Sequence, residues 1–253
     1  MPPIITLLTD FGTADGYVAQ MKGVILSAAP DATLVDVTHD IPAQDVDAAR
    51  LALERYWRRF PEGAVHLVVV DPGVGTGRAA IAFGVAGHWF VGPDNGVFTS
   101  ALEQAHPPVV AIPVPADAAP TFHGRDLFSP AAAALALGAP LASLGEPLPT
   151  VPVRIALPAP FYDGKVVVGE VISVDRFGNL VTNLTPAEVP PYAVLEVEDT
   201  QVGPLLRTFS DVETGQLVAY LGSGGQVEIA VRDGSAARRI GLGVGGRVRA
   251  RLG

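Results

Sequence analysis

The chain has 253 residues, 49% of them apolar, enough to bury a full core in one large domain or two modest ones. It has no cysteine, which excludes a disulfide framework, thiolate metal sites and a cysteine nucleophile, and suits a reducing, cytoplasmic location. Its net charge of -9, from 17 basic and 26 acidic residues, argues against nucleic acid as a partner and mildly favours cationic ligands.

Residues 4–10 read as a buried strand, and Asp15 is placed to cap a helix running from about Tyr17 to Ala29. Thr33 to Thr38 is a second strand. From Asp45 to Trp57 the spacing is helical, with Val46, Ala49, Leu53 and Tyr56 on one face. Val65 to Val70 is a third strand, and this βαβαβ order predicts a parallel sheet with right-handed crossovers. Ala79 to Val85 and His88 to Val91 read as strands joined by Ala86-Gly87. Gly96 to Gln104 and Pro130 to Leu137 read as helices. The uncharged stretch from Leu127 to Gly145 is broken by Pro130, Gly138 and Pro140, so it is expected to be a buried helix, not a membrane span. Met1-Pro-Pro-Ile-Ile-Thr lacks the basic start of a signal peptide.

Pro147, Pro149, Pro152, Pro158 and Pro160 mark a linker. Beyond it, short strands near 165–174, 180–184, 193–198, 204–209, 216–221, 226–231 and 246–252 suggest a small barrel or sandwich. The fold expected is an α/β N-terminal domain with a largely parallel sheet, residues 1–150, a proline-rich linker, 151–164, and a smaller all-β barrel domain, 165–253.

Ligands of open α/β sheets bind beyond the carboxyl ends of the strands. Asp10 ends the first strand, and Asp71 ends the third and opens Asp71-Pro-Gly-Val-Gly-Thr-Gly-Arg78. Both carboxylates are expected to face one crevice, where Asp10 suits the two hydroxyls of a ribose. A second dense cluster, Phe122-His123-Gly124-Arg125-Asp126, makes His123 a pocket candidate and pairs Arg125 with Asp126 as a clamp. His39, near the end of the second strand, is another candidate; His66, His88 and His106 look ordinary. No metal motif is present. Gly241-Leu-Gly-Val-Gly-Gly246 precedes a strand, so it reads as a turn.

Two resemblances compete for the glycine-rich segment. Val69-Val-Asp71-Pro-Gly73-Val-Gly75-Thr-Gly77 resembles the motif of class I methyltransferases, but it follows the third strand and leads into another strand. The other covers nearly the whole chain. Thr9-Asp-Phe-Gly-Thr-Ala-Asp15, Val37-Thr-His-Asp40, Val70-Asp-Pro-Gly-Val-Gly75, Gly92-Pro-Asp-Asn-Gly96, Thr121-Phe-His-Gly-Arg-Asp126, Asp175-Arg-Phe-Gly-Asn-Leu-Val-Thr-Asn183 and Glu228-Ile-Ala230 occur in order. Together they resemble the S-adenosylmethionine hydroxide adenosyltransferases, relatives of the fluorinating and chlorinating enzymes.

That resemblance implies a homotrimer with active sites between neighbouring subunits and hydrolysis of S-adenosylmethionine to adenosine and methionine. Substrate and product are then the small-molecule partners, with no cofactor and no metal. The family's Asp–Arg–His set falls on Asp71, Arg78 and His123, with either Asp71 or His123 taking the proton. Asp10 matches the ribose carboxylate. Phe177 and Phe209 match aromatic residues around the adenine, and Asp175, Asn179 and Ser223 match polar positions that hold nucleoside or methionine. Gly222 and Gly224 depart from the family pattern, and Arg232 stands where asparagine is common, which leaves the anchor of the methionine carboxylate open. A methyltransferase, a halogenase and a non-catalytic adenosine-binding protein are the alternatives. A carboxylate at position 71 would repel halide, and the fluorinating relatives align a tyrosine there.

Overall fold

The computed structural model describes residues 2–252. The chain divides into two compact units, Met1–Ala156 and Leu157–Gly253.

The first unit runs β1 (Ile4–Thr9), α1 (Tyr17–Ala28), β2 (Thr33–Thr38), α2 (Val46–Tyr56), β3 (Val65–Val69), β4 (Ala80–Val85), β5 (His88–Pro93), α3 (Thr99–Ala105), β6 (Val109–Ile112), α4 (Ser129–Ala136) and β7 (Glu146–Pro147). Its sheet has the order β2-β1-β3-β5-β4-β6-β7. Strand alternation sends successive side chains to opposite faces. Ile5, Leu7, Leu67 and Val69 therefore pack with Met21 and Ile25 of α1 and with α4. Leu8, Val68 and Val70 pack on the other face with Ala49 and Leu53 of α2 and Ala101 and Leu102 of α3. Helices cover both faces, which is why β1 and β3 read as continuous apolar runs.

The sheet is only partly parallel, which corrects the expectation of a largely parallel one. Strands β2, β1, β3 and β5 run parallel, whereas β4 is antiparallel to β5 and β6, and β6 is antiparallel to β7. The cause is the two-residue reversal at Ala86-Gly87, both in left-handed backbone, which makes β4 and β5 a tight hairpin. Strand β6 escaped the sequence reading because Pro107, Pro108 and Pro113 flank it. Asp45 caps α2, its Oδ1 accepting from Ala48 N at 2.8 Å. Asp15 does not cap α1, whose N-cap is Gly16 with no side-chain bond.

The second unit holds β8 (Phe161–Asp163), β9 (Val166–Val174), β10 (Leu180–Thr182), β11 (Val194–Val197), β12 (Thr200–Gly203), β13 (Leu205–Leu206), β14 (Leu217–Leu221), β15 (Val227–Val231), α5 (Ala236–Ile240) and β16 (Arg247–Arg251). These strands form one sheet in the order β12-β11-β16-β9-β10-β15-β14-β13, with β8 beside β9. Strand β12 returns against β14, so the sheet is nearly closed and barrel-like. Helix α5 means the unit is not all-β. Ser235 caps that helix by accepting from Arg238 N, and Gly241 ends it. Within the proline-rich stretch, Val153 N donates to Asp94 Oδ1 and Ile155 N to Thr99 Oγ1.

A buried polar cluster lies inside the first unit. His66 Nδ1 is 2.9 Å from Thr6 Oγ1, and His66 Nε2 is 3.2 Å from His88 Nδ1. Tyr56 OH reaches Thr6, Glu62 acts on His88, and Trp57, Phe60 and Phe90 surround the pair. Burial, then the neighbouring His88, pushes the His66 pKa down to about 3. The unfolded chain takes up this proton below about pH 6.5, whereas the folded chain does not. Stability is therefore expected to fall between pH 6.5 and 3, by on the order of 3 kcal/mol from pH 7 to 4. Urea unfolding at both pH values checks this, and His66→Gln should show a smaller difference than the parent.

Candidate active site

β1 and β3 are adjacent parallel strands with Thr9 opposite Val69. Asp10 and Asp71 thus leave the same sheet edge one and two residues later. Asp10 Oδ2 accepts from Gln44 N at 2.7 Å. After Asp71 the chain turns through a glycine loop into β4. Thr76 Oγ1 donates to Gly73 O and accepts from Arg78 N, which aims Arg78 back at the strand it left.

Arg78 and Asp71 form a paired cluster. Arg78 Nε donates to Asp71 Oδ1 at 2.9 Å and to Oδ2 at 3.1 Å, and Nη2 also donates to Oδ2. The two side chains are 10% and 5% exposed. Arg78 Nη2 lies 3.1 Å from His123 Nδ1. A guanidinium can only donate, so His123 Nδ1 accepts, and the neutral ring carries its proton on Nε2. Burial first, then the Arg78 charge, lowers the His123 pKa, against opposing pulls from Asp71 and Asp126. The Phe128 ring lies 5.1 Å from the guanidinium carbon, and Arg78 Nη1 has no hydrogen-bond acceptor.

A cavity of about 40 Å³ opens on this cluster, lined by Phe11, Val69, Asp71, Val74, Thr121, Phe122, His123 and Gly124. Its size suits a water molecule, and its lining includes a carboxylate and an imidazole. A larger cavity of about 470 Å³ shares Phe11, Thr121 and Phe122 with it and adds Tyr17, Gln20, Ala119 and Arg125. Phe11, Tyr17 and Phe122 meet edge to face with centroids 5.2 to 6.0 Å apart. Arg125 is engaged elsewhere: it pairs with Asp126 at 2.6 and 2.9 Å, as the sequence suggested, and Asp126 also accepts from Ala119 N.

Sequence reasoning attached no role to the residues that brace this edge. Asn95 Nδ2 donates to Val70 O at 2.8 Å, fixing the peptide just before Asp71. Asp94 is buried and close enough to Arg78 to feel its charge; burial raises its pKa, opposed by Val153 N and Arg78. Their signal was the Gly92-Pro-Asp-Asn-Gly96 segment at the end of β5. It lies beside Asp71 only because β5 neighbours β3 in the sheet.

In the second unit a cavity of about 610 Å³ is lined by Phe177, Asn179, Thr208, Phe209, Ser210, Val231, Arg232, Asp233 and Gly234. Phe177 is 75% exposed and Phe209 40%. Asp175 does not line this cavity. Its Oδ1 accepts from Phe177 N and Asn179 N and its Oδ2 from Asn179 Nδ2, so it builds the turn that presents both residues. Ser223 sits exposed in the β14–β15 turn, outside the lining. A Cβ on Gly222 would meet Glu228 Oε1 at 2.0 Å, and Glu228 in turn accepts from Tyr220 OH. A side chain at 222 would require the Glu228 side chain to move aside. Arg232 Nη1 donates to Val212 O, and Nε lies 3.7 Å from Asp233. Among the described residues no group of three or more His, Asp or Glu side chains is placed to hold a metal ion, and no helix is long and apolar enough to cross a membrane.

A three-layer α/β unit with a carboxylate and an imidazole on the wall of a water-sized cavity, and a guanidinium bonded to both, has the make-up of an enzyme site for polar displacement chemistry. The chain belongs to the SAM hydroxide adenosyltransferase family, whose N-terminal domain matches residues 5–145 and whose C-terminal domain matches residues 169–249. It is 46% identical to the (R)-S-adenosyl-L-methionine hydrolase of Thermus thermophilus, over 97% of this chain and 98% of that protein. A fluorinase of an Actinoplanes species is 32% identical over 90% of each chain. A crystal structure of an uncharacterized conserved protein from Thermotoga maritima superposes with a TM-score of 0.89 at 34% identity, covering 98% of this chain and 99% of that one.

The glycine loop offers a direct test of how the cluster is held. Gly75 has φ +75°, and a Cβ there would lie 2.7 Å from Pro120 O, on the segment that leads to His123. Gly75→Ala is expected to cost about 1–3 kcal/mol of stability and to lower turnover at least tenfold by separating Arg78 from His123. Thermal melts and steady-state assays of the same preparation measure both.

Proposed function

We infer that the protein is an enzyme that hydrolyses S-adenosyl-L-methionine to adenosine and L-methionine. The observation that carries this reading is the water-sized cavity walled by Asp71 and His123, with Arg78 clamped behind Asp71. Its support from relatives is the hydrolase that shares 46% of its residues along nearly the whole chain.

The reaction places its demand on the nucleophile. When water attacks C5′ of the ribose, the C5′–S bond breaks, its electron pair goes to sulfur, and methionine leaves as a neutral thioether. The water becomes the 5′-hydroxyl of adenosine and loses one proton. An ordinary aspartate is a weaker base than hydroxide by about 12 pKa units, or about 16 kcal/mol, so Asp71 cannot hold a standing hydroxide. Proton transfer must accompany attack. We assign the proton to Asp71, whose oxygens keep lone pairs beyond those used by Arg78. His123 Nδ1 is already occupied by Arg78, which leaves its Nε2–H as a donor that orients the water. Positioned general-base help of this kind is typically worth about 10²–10⁴-fold, and orientation adds to it.

Asp10 takes the ribose diol in this reading. The Phe11, Tyr17 and Phe122 rings offer negative faces and apolar walls suited to a sulfonium. Phe177 and Phe209 flank the adenine, Asn179 and Ser223 supply polar contacts, and Asp175 holds the turn beneath them. As a domain scheme, residues 1–150 carry the catalytic groups, 151–164 connect, and 165–253, read as a barrel, contribute the nucleoside and methionine contacts. Each cavity is open within its own unit, and the exposure of Phe177 suits a homotrimer in which neighbouring subunits complete each site. No cofactor beyond the substrate is needed for the displacement, and a cysteine-free chain suits the cytoplasm. A halogenase reading is disfavoured by charge, since the Asp71 carboxylate would repel a halide in the same cavity. A methyltransferase reading is disfavoured by topology, since the glycine loop feeds the antiparallel strand β4 and not a helix.

Incubating the protein with S-adenosyl-L-methionine should give equal amounts of adenosine and methionine by chromatography; S-adenosylhomocysteine would point to methyl transfer, and binding without turnover to a nucleoside-binding protein. Asp71→Ala and Arg78→Ala should each reduce adenosine formation at least tenfold. In ¹⁸O-water the label should enter the 5′-hydroxyl of adenosine, and unlabelled adenosine would remove solvent as the nucleophile.

A further inference from the structure

Behind Asp10 lies a chain of hydrogen bonds that the proposed reaction does not use. Lys22 Nζ donates to Asp36 Oδ2 at 2.5 Å. Asp36 Oδ1 lies 3.0 Å from His39 Nε2, and His39 Nδ1 lies 2.8 Å from Thr9 Oγ1. Phe11 N donates to the same Thr9 oxygen at 3.3 Å. The inventory of protons sets the directions. A carboxylate only accepts, so His39 Nε2 carries hydrogen, and His39 Nδ1 shares a hydrogen bond with the Thr9 hydroxyl. Thr9 Oγ1 then has a lone pair for Phe11 N. The order Thr–His–Asp resembles a nucleophilic triad, but Thr9 is wholly buried, so no substrate reaches its oxygen.

The chain ends on the backbone that carries Asp10. Thr9 precedes Asp10, Phe11 follows it, and Gly12 N donates to His39 O at 2.8 Å. Asp10 grips back: its Oδ2 accepts from Gln44 N, and Gln44 has a left-handed backbone at φ 67°, uncommon for a residue with a side chain. The loops after β1 and β2 therefore hold each other through His39 on one side and Asp10 on the other. His39 is itself buried and lines none of the cavities described above.

We propose that His39 is a positioning residue for Asp10: its side chain, anchored by Asp36 and Lys22, fixes through Thr9 the backbone that aims the Asp10 carboxylate at the ribose diol. The proposal rests on the assignment of Asp10 to the diol. Such a residue affects substrate capture and leaves the displacement step at Asp71 alone, so it acts on KM and spares kcat.

The test is a double-mutant cycle on the full-length protein, with S-adenosyl-L-methionine as substrate. Asp10→Ala should raise KM strongly. His39→Ala should raise KM by about tenfold with kcat within about threefold, and should add nothing in the Asp10→Ala background. His39→Asn, which returns an amide able to hydrogen-bond near the Nδ1 position, should recover most of the loss. Thr9→Val removes the same link with a near-isosteric side chain and should reproduce the KM-selective effect, so it carries the test if His39→Ala fails to fold. The ratio of affinities for adenosine over 3′-deoxyadenosine should fall in His39→Ala as it does in Asp10→Ala, which a general loss of stability would not produce. Losses that multiply in the double variant, a fall in kcat at constant KM, or a silent Thr9→Val would each overturn the proposal. If Asp10→Ala leaves KM unchanged, the diol assignment itself fails. If Asp10→Ala raises KM and His39→Ala does not, only the role of His39 fails.

Discussion

The ion pair between Asp71 and Arg78 is the contact on which the rest of the site depends. Both side chains are almost fully enclosed, and removing two charges from water is costly unless geometry and further hydrogen bonds offset it. Here the fork of Arg78 meets both carboxylate oxygens and Nη2 also reaches His123, while Nη1 finds no acceptor. One guanidinium thus joins the end of β3, the start of β4 and the loop before α4. Losing either partner of such a pair typically costs about 3–5 kcal/mol, because the other charge is left buried and unmatched. The glycine loop exists to bring the two together: with φ +75° at Gly75 and Pro120 O directly above it, the segment packs closer than a side chain would allow.

The same arrangement explains why hydrolysis is the chemistry that fits. The substrate arrives as a sulfonium with a good leaving group, so the protein has little to do at sulfur and much to do at water. A small cavity limits the nucleophile to something of its size, and the carboxylate on its wall favours a neutral molecule that must lose a proton over an anion that must be held. A protein named a fluorinase is 32% identical to this chain over 90% of each.

Much of this was legible in the residues. The apolar runs of Ile4–Thr9 and Val65–Val69 marked the core strands, and the helical spacing after Asp45 marked α2. That Asp10 and Asp71 leave the same sheet edge followed from the βαβ order of the strands that carry them. What stayed hidden depends on contacts distant in sequence. Asp94 and Asn95 brace the site only because β5 is inserted beside β3, an adjacency that chain order does not reveal. Strand β6 was masked by its flanking prolines. Asp15 had the right residue type and position for a cap, but the backbone at Gly16 takes that place. The role of Asp175 in building its own turn was invisible because an Asx turn and a ligand contact use the same residue type.

Stereochemistry at the attacked carbon tests the central claim most directly. With S-adenosyl-L-methionine carrying deuterium in one of the two C5′ positions, the configuration of the adenosine formed reports the number of displacements. Attack by a single water held at Asp71 predicts inversion at C5′. Retention would mean two successive displacements through a bond to the protein, and would contradict the account of Asp71 as a base that never touches carbon.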